Sequence, residues 1–484
     1  MRHPHNSPNP PPRVVVLGDS MLDVWLSGTC RRLSREGPAA VVDVEKSSVH
    51  PGAAANTAAN LAALGAQTEI VTLIGDDDVG AALLRELHRH GVGTEHAVTA
   101  AARATPSKSR VVAANRVLLR FDQGDPRPAA AGEARQLADG LTAALSAADA
   151  LVICDYRGDV AHSHVFAALD AVRHQLPLLV VDGHRLGAWR SVRPDVATPS
   201  AAESMALLPD AKPAGQPRAD FFLTHRRQLA DATGAGTVVV TLDSEGVVLL
   251  DGDRPPYHTA AQRAPEENCA GAGDTFAAAM TVGLLQGMSA ERATEYGQRA
   301  ADVVTAQPGT SVCSKAELDE RMDASSGAPI SSDELARRVA RHRSAGDRIV
   351  FTNGCFDVLH RGHVAYLKQA RQAGDVLIVA INSDRSVRRL KGWTRPINSE
   401  IDRAAVLGEL SCVDYVTVFD DDTPASLIQR LRPEIYVKGG DYTAEMLPET
   451  PVVRSYGGEV RTVGYVANHS TTETIARIRA SADC

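Results

Sequence analysis

Two short clusters in this chain combine residue types and spacings that suit phosphate chemistry. In the first, His360 and His363 stand three residues apart with Gly362 between them, at the end of Gly354-Cys355-Phe356-Asp357-Val358-Leu359. Residues three apart share a helical face. A glycine at a helix mouth lets phosphate reach backbone N–H groups that are unpaired and carry the positive end of the helix dipole. Imidazole donors and those N–H groups can stabilise the charge that builds when an alcohol phosphate attacks the α-phosphorus of a nucleoside triphosphate. In the second cluster, Gly271, Ala272 and Gly273 precede Asp274 at the start of an Ala-rich helical run. Their backbone donors point at one spot, an anion hole, and Asp274 can accept the proton of a hydroxyl that takes a γ-phosphoryl group.

Each cluster has a plain alternative. His pairs on a helix also bind zinc, but the Glu and third ligand of that pattern are missing. Two surface histidines beside a turn, and an Ala-rich helix packed for its own sake, are the others. No G-x-x-x-x-G-K-[ST] occurs, so this is not a P-loop enzyme. Cys355 has no Cys-His-acid arrangement around it and reads as packing.

The elements that must hold these residues follow from periodicity. Ile349 to Phe351 is strand-like, Asn353-Gly354 breaks it, and helical spacing resumes at Val364. Upstream, Val14 to Leu17 is a buried strand delivering carboxylates, Asp19 and Asp23, toward the edge where open α/β sheets bind ligands. Residues 50 to 65 follow as an Ala-rich helix start in which Gly52 permits close approach and Asn56 offers donor and acceptor. Strand-like runs at Glu69 to Leu73, Ala150 to Cys154, Leu178 to Val181 and Thr237 to Thr241 alternate with helical ones, as a parallel sheet flanked by helices requires. Asp155, Asp182 and Thr198 lie at or just beyond the ends of such runs and are candidates for the ligand edge. Further strands are expected at Asp375 to Ile381, Val413 to Phe419 and Ile435 to Val437, with Lys391, Arg395 and Lys438 as cations for polyphosphate or sugar phosphate. Ser470 and Glu473 have capping-box spacing before a last helix, where Ser470, Thr471 and Thr472 add hydroxyls to free N–H groups.

The fold class expected is α/β in two domains, a parallel-sheet sandwich followed by a smaller Rossmann-like domain. Residues 1–12 read as a disordered tail, 13–320 as the first domain, 321–331 as a linker and 332–484 as the second domain. A length of 484 residues suits more than one core. The net charge of −8 argues against a general nucleic-acid binder. No apolar run approaches the ~20 residues of a membrane span, and the start lacks the apolar region of a signal peptide. Seven cysteines scattered singly read as reduced thiols of a cytoplasmic protein.

The H-x-G-H cluster resembles the nucleotidyltransferase superfamily of cytidylyl- and adenylyltransferases. On that resemblance His360, His363 and Lys391 are catalytic, and Phe356, Asp357, Gly362, Arg395, Lys438, Asp441, Ser470, Thr471 and Thr472 hold nucleotide. Gly-Ala-Gly-Asp, far downstream of the Gly-Ala-Asn segment, resembles the ribokinase family of sugar kinases over roughly residues 13 to 315. That implies Asp274 as catalytic base and Gly271, Ala272 and Gly273 as anion hole. It also implies Asp23, Gly52 and Asn56 on sugar hydroxyls, and Ser200, Glu203 and Gly309-Thr310 on nucleotide, with Glu203 toward magnesium. Departures are Asn268-Cys269-Ala270 before the anion hole, Gly52-Ala53 for a Gly-Gly pair, and Ser200 for a common Asn.

The pairing is similar to the family of bifunctional heptose-7-phosphate kinases and heptose-1-phosphate adenylyltransferases. It implies ATP and Mg2+, sugar phosphates as substrates, and a homodimer through the kinase domain. Lys108, Arg110 and Arg120 are the candidates for the sugar's distal phosphate. A transferase with an inert kinase-like module, and the same architecture using another sugar or CTP or GTP, are the alternatives.

Overall fold

In the computed structural model, residues 10–463 are described except 36, 115, 126, 213–214, 253, 263–267, 326–328 and 440–442. Of the tail expected at residues 1–12, residues 1–9 therefore lie outside the described residues, as do Asp441, Ser470, Thr471 and Thr472. The chain divides after Asp319 into two compact units.

The first unit is built on nine strands. From edge to edge they are Tyr257–Thr259, Val247–Asp251, Thr237–Thr241, Val196–Ala197, Leu178–Gly183, Ala150–Asp155, Arg13–Gly18, Gln67–Gly75 and Ala97–Ala100. All neighbours are parallel except the first two pairs, which are antiparallel. Strands such as Ala150–Asp155 are buried along their whole length, which explains their continuous apolar sequence. One face packs Leu151, Ile153, Leu179, Val181, Val238 and Val240 against Trp189, Phe221 and Phe222. Each fully buried aliphatic side chain contributes roughly 1.5–3 kcal/mol, whereas an exposed ion pair such as Arg218–Asp243 contributes about 1 kcal/mol at most. The sheet interior, not the surface charge, holds the unit together.

Sequence periodicity did not reveal a second sheet of four strands, ordered Ala40–Ala53, Ser20–Leu33, Ser107–Ala113 and Arg116–Gln123. Its strand Ser20–Leu33 follows the strand Arg13–Gly18 of the first sheet with only Asp19 between them. Asp23 pairs with His50 on one side and Lys108 on the other, and Trp25 pairs with Ser48 and Arg110. Alternation therefore gives one polar face carrying Asp23, Lys108 and Arg110, and an opposite face carrying Val24, Val111, Leu119 and Phe121.

The second unit is a five-stranded parallel sheet ordered Tyr415–Phe419, Val376–Asn382, Ile349–Gly354, Ile435–Gly439 and Glu459–Val463. The first strand in sequence is central, with the next two on one side and the last two on the other. Strand order thus reverses between Ile349–Gly354 and Ile435–Gly439, the crevice where such sheets bind ligands. Apolar clusters cover both faces, around Phe351, Ile378 and Tyr436 on one and Val350, Leu377 and Val437 on the other.

A helix, Lys315–Ser325, runs through the division and takes in the first part of the segment read as linker. Its strong helix formers and the Lys315–Asp319 pair at 2.8 Å one turn apart account for this. The next helix, Ser332–Ala345, is capped by Ser331, whose Oγ accepts the Glu334 N–H at 3.3 Å. Among the described residues six cysteines are free, and no helix is long and apolar enough to cross a membrane.

Candidate active sites

In the first unit, Asp274 lies in the opening turn of helix Ala272–Leu285, whose N-cap is Gly271 at φ 83°. Only glycine suits this position, because a Cβ would also fall 2.5 Å from Asn56 Nδ2. Asn56 donates to Asp274 Oδ2 at 2.9 Å, so the structure places it on that carboxylate. Asn60, one turn along the buried helix Ala54–Ala63, donates to Asn56 Oδ1 at 3.1 Å and turns the Asn56 amide toward Asp274. Tyr156 Oη sits 2.7 Å from Asp274 Oδ1 and also meets Asp182 Oδ2, while Thr198 Oγ1 donates to Asp182 Oδ1 at 2.7 Å. Burial raises the Asp274 pKa, and the Tyr156 and Asn56 donors oppose it. Burial likewise pushes Asp182 up to about 7.

The loop carrying Tyr156 is held by Asp19, which accepts the N–H groups of Tyr156 at 2.9 Å, Arg157 at 2.6 Å and Asp159 at 3.1 Å. Asp19 is therefore a scaffold and not the ligand carboxylate its strand-end position suggests. Asp155 accepts from Trp189 Nε1 at 2.8 Å and faces the core. A cavity of about 150 Å³ opens between Tyr156, Asp182, Ser200, Glu203, Gly271 and Gly273. Ser200 and Glu203 cap helix Ala201–Ala206 reciprocally, with Glu203 Oε2 accepting the Ser200 N–H at 2.7 Å. Its other oxygen meets His184 Nδ1 at 2.5 Å, a contact that raises the His184 pKa.

The polar face of the second sheet supplies Asp23, which pairs with Arg110 at 2.9 Å and accepts from Thr310 Oγ1 at 3.0 Å. Trp25 Nε1 donates to Thr310 at 3.1 Å, and its ring lies under the Arg110 guanidinium. A Cβ on Gly52 would stand 3.1 Å from Asp23 Oδ2, so glycine keeps that carboxylate accessible. Gly309 lies beside Trp25 in the wall of a cavity of about 480 Å³ that also carries Lys46, Ser48, His50 and Asn268. Lys108 reaches Asp274 electrostatically and lowers its pKa. Arg120 pairs with Asp122 on the exposed edge strand.

In the second unit, His360 is the N-cap of helix Arg361–Arg371 and His363 lies in its first turn. The two rings stack at 3.8 Å, with Phe356 packed 5.1 Å from His363. Burial, then His360 and Lys391, pull the His363 pKa down to about 4. A cavity of about 150 Å³ is lined by Asn353, Phe356, His363, Lys391, Lys438 and Gly439, at the strand-order reversal. Lys438 Nζ donates to Asn353 Oδ1 at 2.8 Å across the two strands, and burial lowers its pKa. Gly362 is buried within the same helix turn.

Asp357 also lines this cavity, and its carboxylate is already engaged there. It accepts from Arg395 Nε and from the N–H groups of Ile397 at 2.6 Å and Asn398 at 3.1 Å, so it anchors the loop of residues 395–398. Arg403, which spacing did not single out, donates to Cys355 O at 2.6 Å, Asn398 O at 3.1 Å, Asn382 O at 2.8 Å and Asp384 Oδ1 at 2.8 Å. It clips together the turns that form the cavity wall. Tyr156, Asn60 and His184 were likewise missed, and Asn60 alone left a local signal, four residues after Asn56.

Each unit matches a known protein family. Residues 12–317 match the pfkB family carbohydrate kinases and residues 351–481 the cytidylyltransferase-like family. The bifunctional protein HldE of Pelobacter propionicus is 36% identical over 96% of this chain and 95% of its own length. That of Azotobacter vinelandii is 37% identical over 96% and 97%. Among solved structures, phosphofructokinase-2 from Escherichia coli with substrates and products covers 64% of this chain and 98% of its own, at TM-score 0.54 and 22% identity. A putative ribokinase from Agrobacterium tumefaciens covers 65% and 98%, at TM-score 0.51 and 17% identity. At those identities the two structures speak for the fold of the first unit alone.

Proposed function

The chain belongs to the bifunctional HldE family, and from that premise we propose that its two units act on one sugar in succession. The first transfers the γ-phosphoryl group of ATP to the anomeric hydroxyl of D-glycero-β-D-manno-heptose 7-phosphate, giving the 1,7-bisphosphate. After a separate phosphatase has removed the 7-phosphate, the second joins AMP from ATP to heptose 1-phosphate, giving ADP-heptose and pyrophosphate. The observation that carries this reading is the Asp274 carboxylate, held by Asn56 and Tyr156 beside Gly271, in the same chain as the stacked, half-buried His360–His363 pair.

In the first step Asp274 takes the hydroxyl proton as that oxygen bonds to γ-phosphorus, while the N–H groups at Gly271 to Gly273 receive the phosphate oxygens. Asp23, with Arg110 and Thr310, orients sugar hydroxyls. Mg2+ would enter as part of Mg-ATP, and Glu203 in the cavity wall, both of whose oxygens already meet the Ser200 N–H and His184 Nδ1, would hold it through the water such an ion keeps. When bound, it neutralises phosphate charge. In the second step His360, His363, Lys391 and Lys438 stabilise the charge on the α-phosphate and the leaving pyrophosphate. ATP and phosphorylated sugars place this work in the cytoplasm.

A homodimer through the kinase unit is part of the proposal. Leu119 and Phe121 are exposed on the apolar face of the second sheet, a surface monomers seldom leave open. Phe121→Asp would then reduce the mass measured by sedimentation to that of one chain. For the chemistry, the test is phosphoryl transfer and pyrophosphate release by the full chain across four nucleoside triphosphates and a set of sugar phosphates. ATP with the heptose phosphates should turn over fastest; a preference for CTP or GTP, or for a hexose phosphate, would overturn the assignment.

A further inference from the structure

Tyr156 Oη reaches Asp274 Oδ1 at 2.7 Å and meets Asp182 Oδ2 as well. A phenol has one hydrogen and donates to one acceptor. The other contact is a hydrogen bond only when that carboxyl carries a proton and donates it back to the phenol oxygen. With both groups ionised, one carboxylate would face a phenol lone pair and the two charges would repel through it. The two acids and the phenol therefore hold two protons between them, the phenolic one and one more.

The surroundings decide where the extra proton sits. Asp274 receives Asn56 Nδ2 at 2.9 Å and lies in the first turn of a helix, both of which favour its charged form. Among the described residues Asp182 receives only the Thr198 hydroxyl besides the phenol, and it faces the negative charge of Glu203. We propose that Tyr156 is a positioning residue which keeps one proton shared between the two acids, with Asp182 neutral and donating to Tyr156, and Tyr156 donating to an ionised Asp274. This rests on Asp274 being the base of the first step. In turnover the sugar hydroxyl gives its proton to Asp274 as its oxygen bonds to γ-phosphorus. The bond from γ-phosphorus to the bridging oxygen breaks, and its electron pair leaves on ADP. The Asp182–Tyr156 arm keeps its protons throughout and supplies Asp274 with a donor in place of water.

Other charged and titratable groups also face this trio. Cys154 lies on the strand beside Tyr156, the His184 ring meets Tyr156 edge to face at 5.3 Å, and Glu203 acts on Asp182. Asp23 and Lys108 of the second sheet act on Asp274 with opposite signs. None of these joins Asp182 to Asp274 by hydrogen bonds as Tyr156 does.

The experiment measures kinase kcat and KM against pH for the full chain and its Tyr156→Phe, Asp182→Asn, Asp182→Ala and Asp274→Asn variants, with thermal melting to confirm folding. Tyr156→Phe should lose about tenfold in kcat with both KM values nearly unchanged. Its acid limb should move to higher pH, because a donor that lowers the Asp274 pKa is gone. Asn at 182 still donates to the phenol oxygen as a neutral acid does, so Asp182→Asn should lose about tenfold less than Asp182→Ala. An unmoved acid limb in Tyr156→Phe, or an Asn variant no better than Ala, overturns the proposal. Phosphorylation surviving in Asp274→Asn would instead overturn the assignment of the base. A dead Asp274→Asn with an unmoved Tyr156→Phe limb sinks the bridge alone.

Discussion

Asn56 and Asp274 are 218 residues apart in sequence, yet the Asn56 amide nitrogen lies 2.9 Å from the Asp274 carboxylate. The contact joins the helix start of the Gly-Ala-Asn segment to the helix start of the anion hole. It makes Asn56 a partner of the proposed base, and Asn60 a partner of that partner. A hydrogen bond to a charged group is worth roughly 1.5–3 kcal/mol, so Asn56→Ala should lower kinase kcat by about 10- to 100-fold. The Asn56 donor lowers the Asp274 pKa. Its removal raises that pKa, so the variant should lose activity at a higher pH than the wild type as the solution is acidified. An unshifted limb would show that Asn56 serves the sugar and not the base.

Ala53 departs from the Gly-Gly pattern of the sugar-kinase motif, and the backbone adopts the glycine conformation regardless, at φ 56° and ψ −130°. This region is almost closed to a residue with a Cβ and costs of order 1–3 kcal/mol. The departure is therefore borne as strain, and the helix carrying Asn56 keeps its place. Ala53→Gly should release the strain against a smaller loss of chain entropy, for a net gain of about 1 kcal/mol and a melting transition raised by about 2–4 °C. Calorimetry of the first unit's transition checks this, and a lowered transition would contradict it.

What could be read in the sequence, and what could not, divides along one physical line. Gly271 to Asp274 and His360 to His363 were legible because their chemistry is local: a turn, a helix start and a short spacing. The parallel strands were legible because burial on both faces leaves continuous apolar runs. The second sheet was not, because its strands alternate between a polar face over the site and an apolar face that looks outward, and neither pattern marks a core. Asp19 follows a strand end where a ligand carboxylate is expected, but backbone N–H groups of a distant loop fill it, and the Asp357 carboxylate, though in the cavity wall, is likewise taken up by a distant loop. A side chain's type at a ligand edge can be read from sequence; whether a loop has already claimed it depends on contacts across the fold. The same holds for Tyr156 and Arg403.

Arg403 is buried and spans four acceptors from three segments. Its loss would leave the Cys355, Asn382 and Asn398 carbonyls without that donor and Asp384 without its charge partner. Arg403→Met should destabilise the second unit by about 3–5 kcal/mol, the usual cost of breaking a buried pair from one side. Arg403→Lys should fail as well, because a single ammonium cannot span the fork of contacts. Urea unfolding of the second unit measures both. A Lys variant of wild-type stability would mean that the charge matters and the fork does not.

His363 tests the independence of the two sites and its own burial at once. His363→Ala should abolish ADP-heptose formation and leave kinase turnover near wild type; both falling together, with the fold intact, would show the sites to be coupled. Burial, with His360 and Lys391 adding positive charge, holds the imidazole at about 4 against 6.5 in the unfolded chain. The unfolded state therefore binds the proton first as pH falls. The native state keeps its full stability above 6.5 and loses this contribution progressively toward 4. His363→Gln removes the titrating group, so the second unit's stability should fall less steeply over that window than in the wild type. The same low pKa keeps the imidazole neutral near pH 7, so the free enzyme's kcat/KM for adenylyl transfer should show no His363 limb between about pH 5 and 8. Equal slopes in the two proteins would mean that His363 titrates in water, and a stacked, desolvated clamp on the α-phosphate would lose its basis.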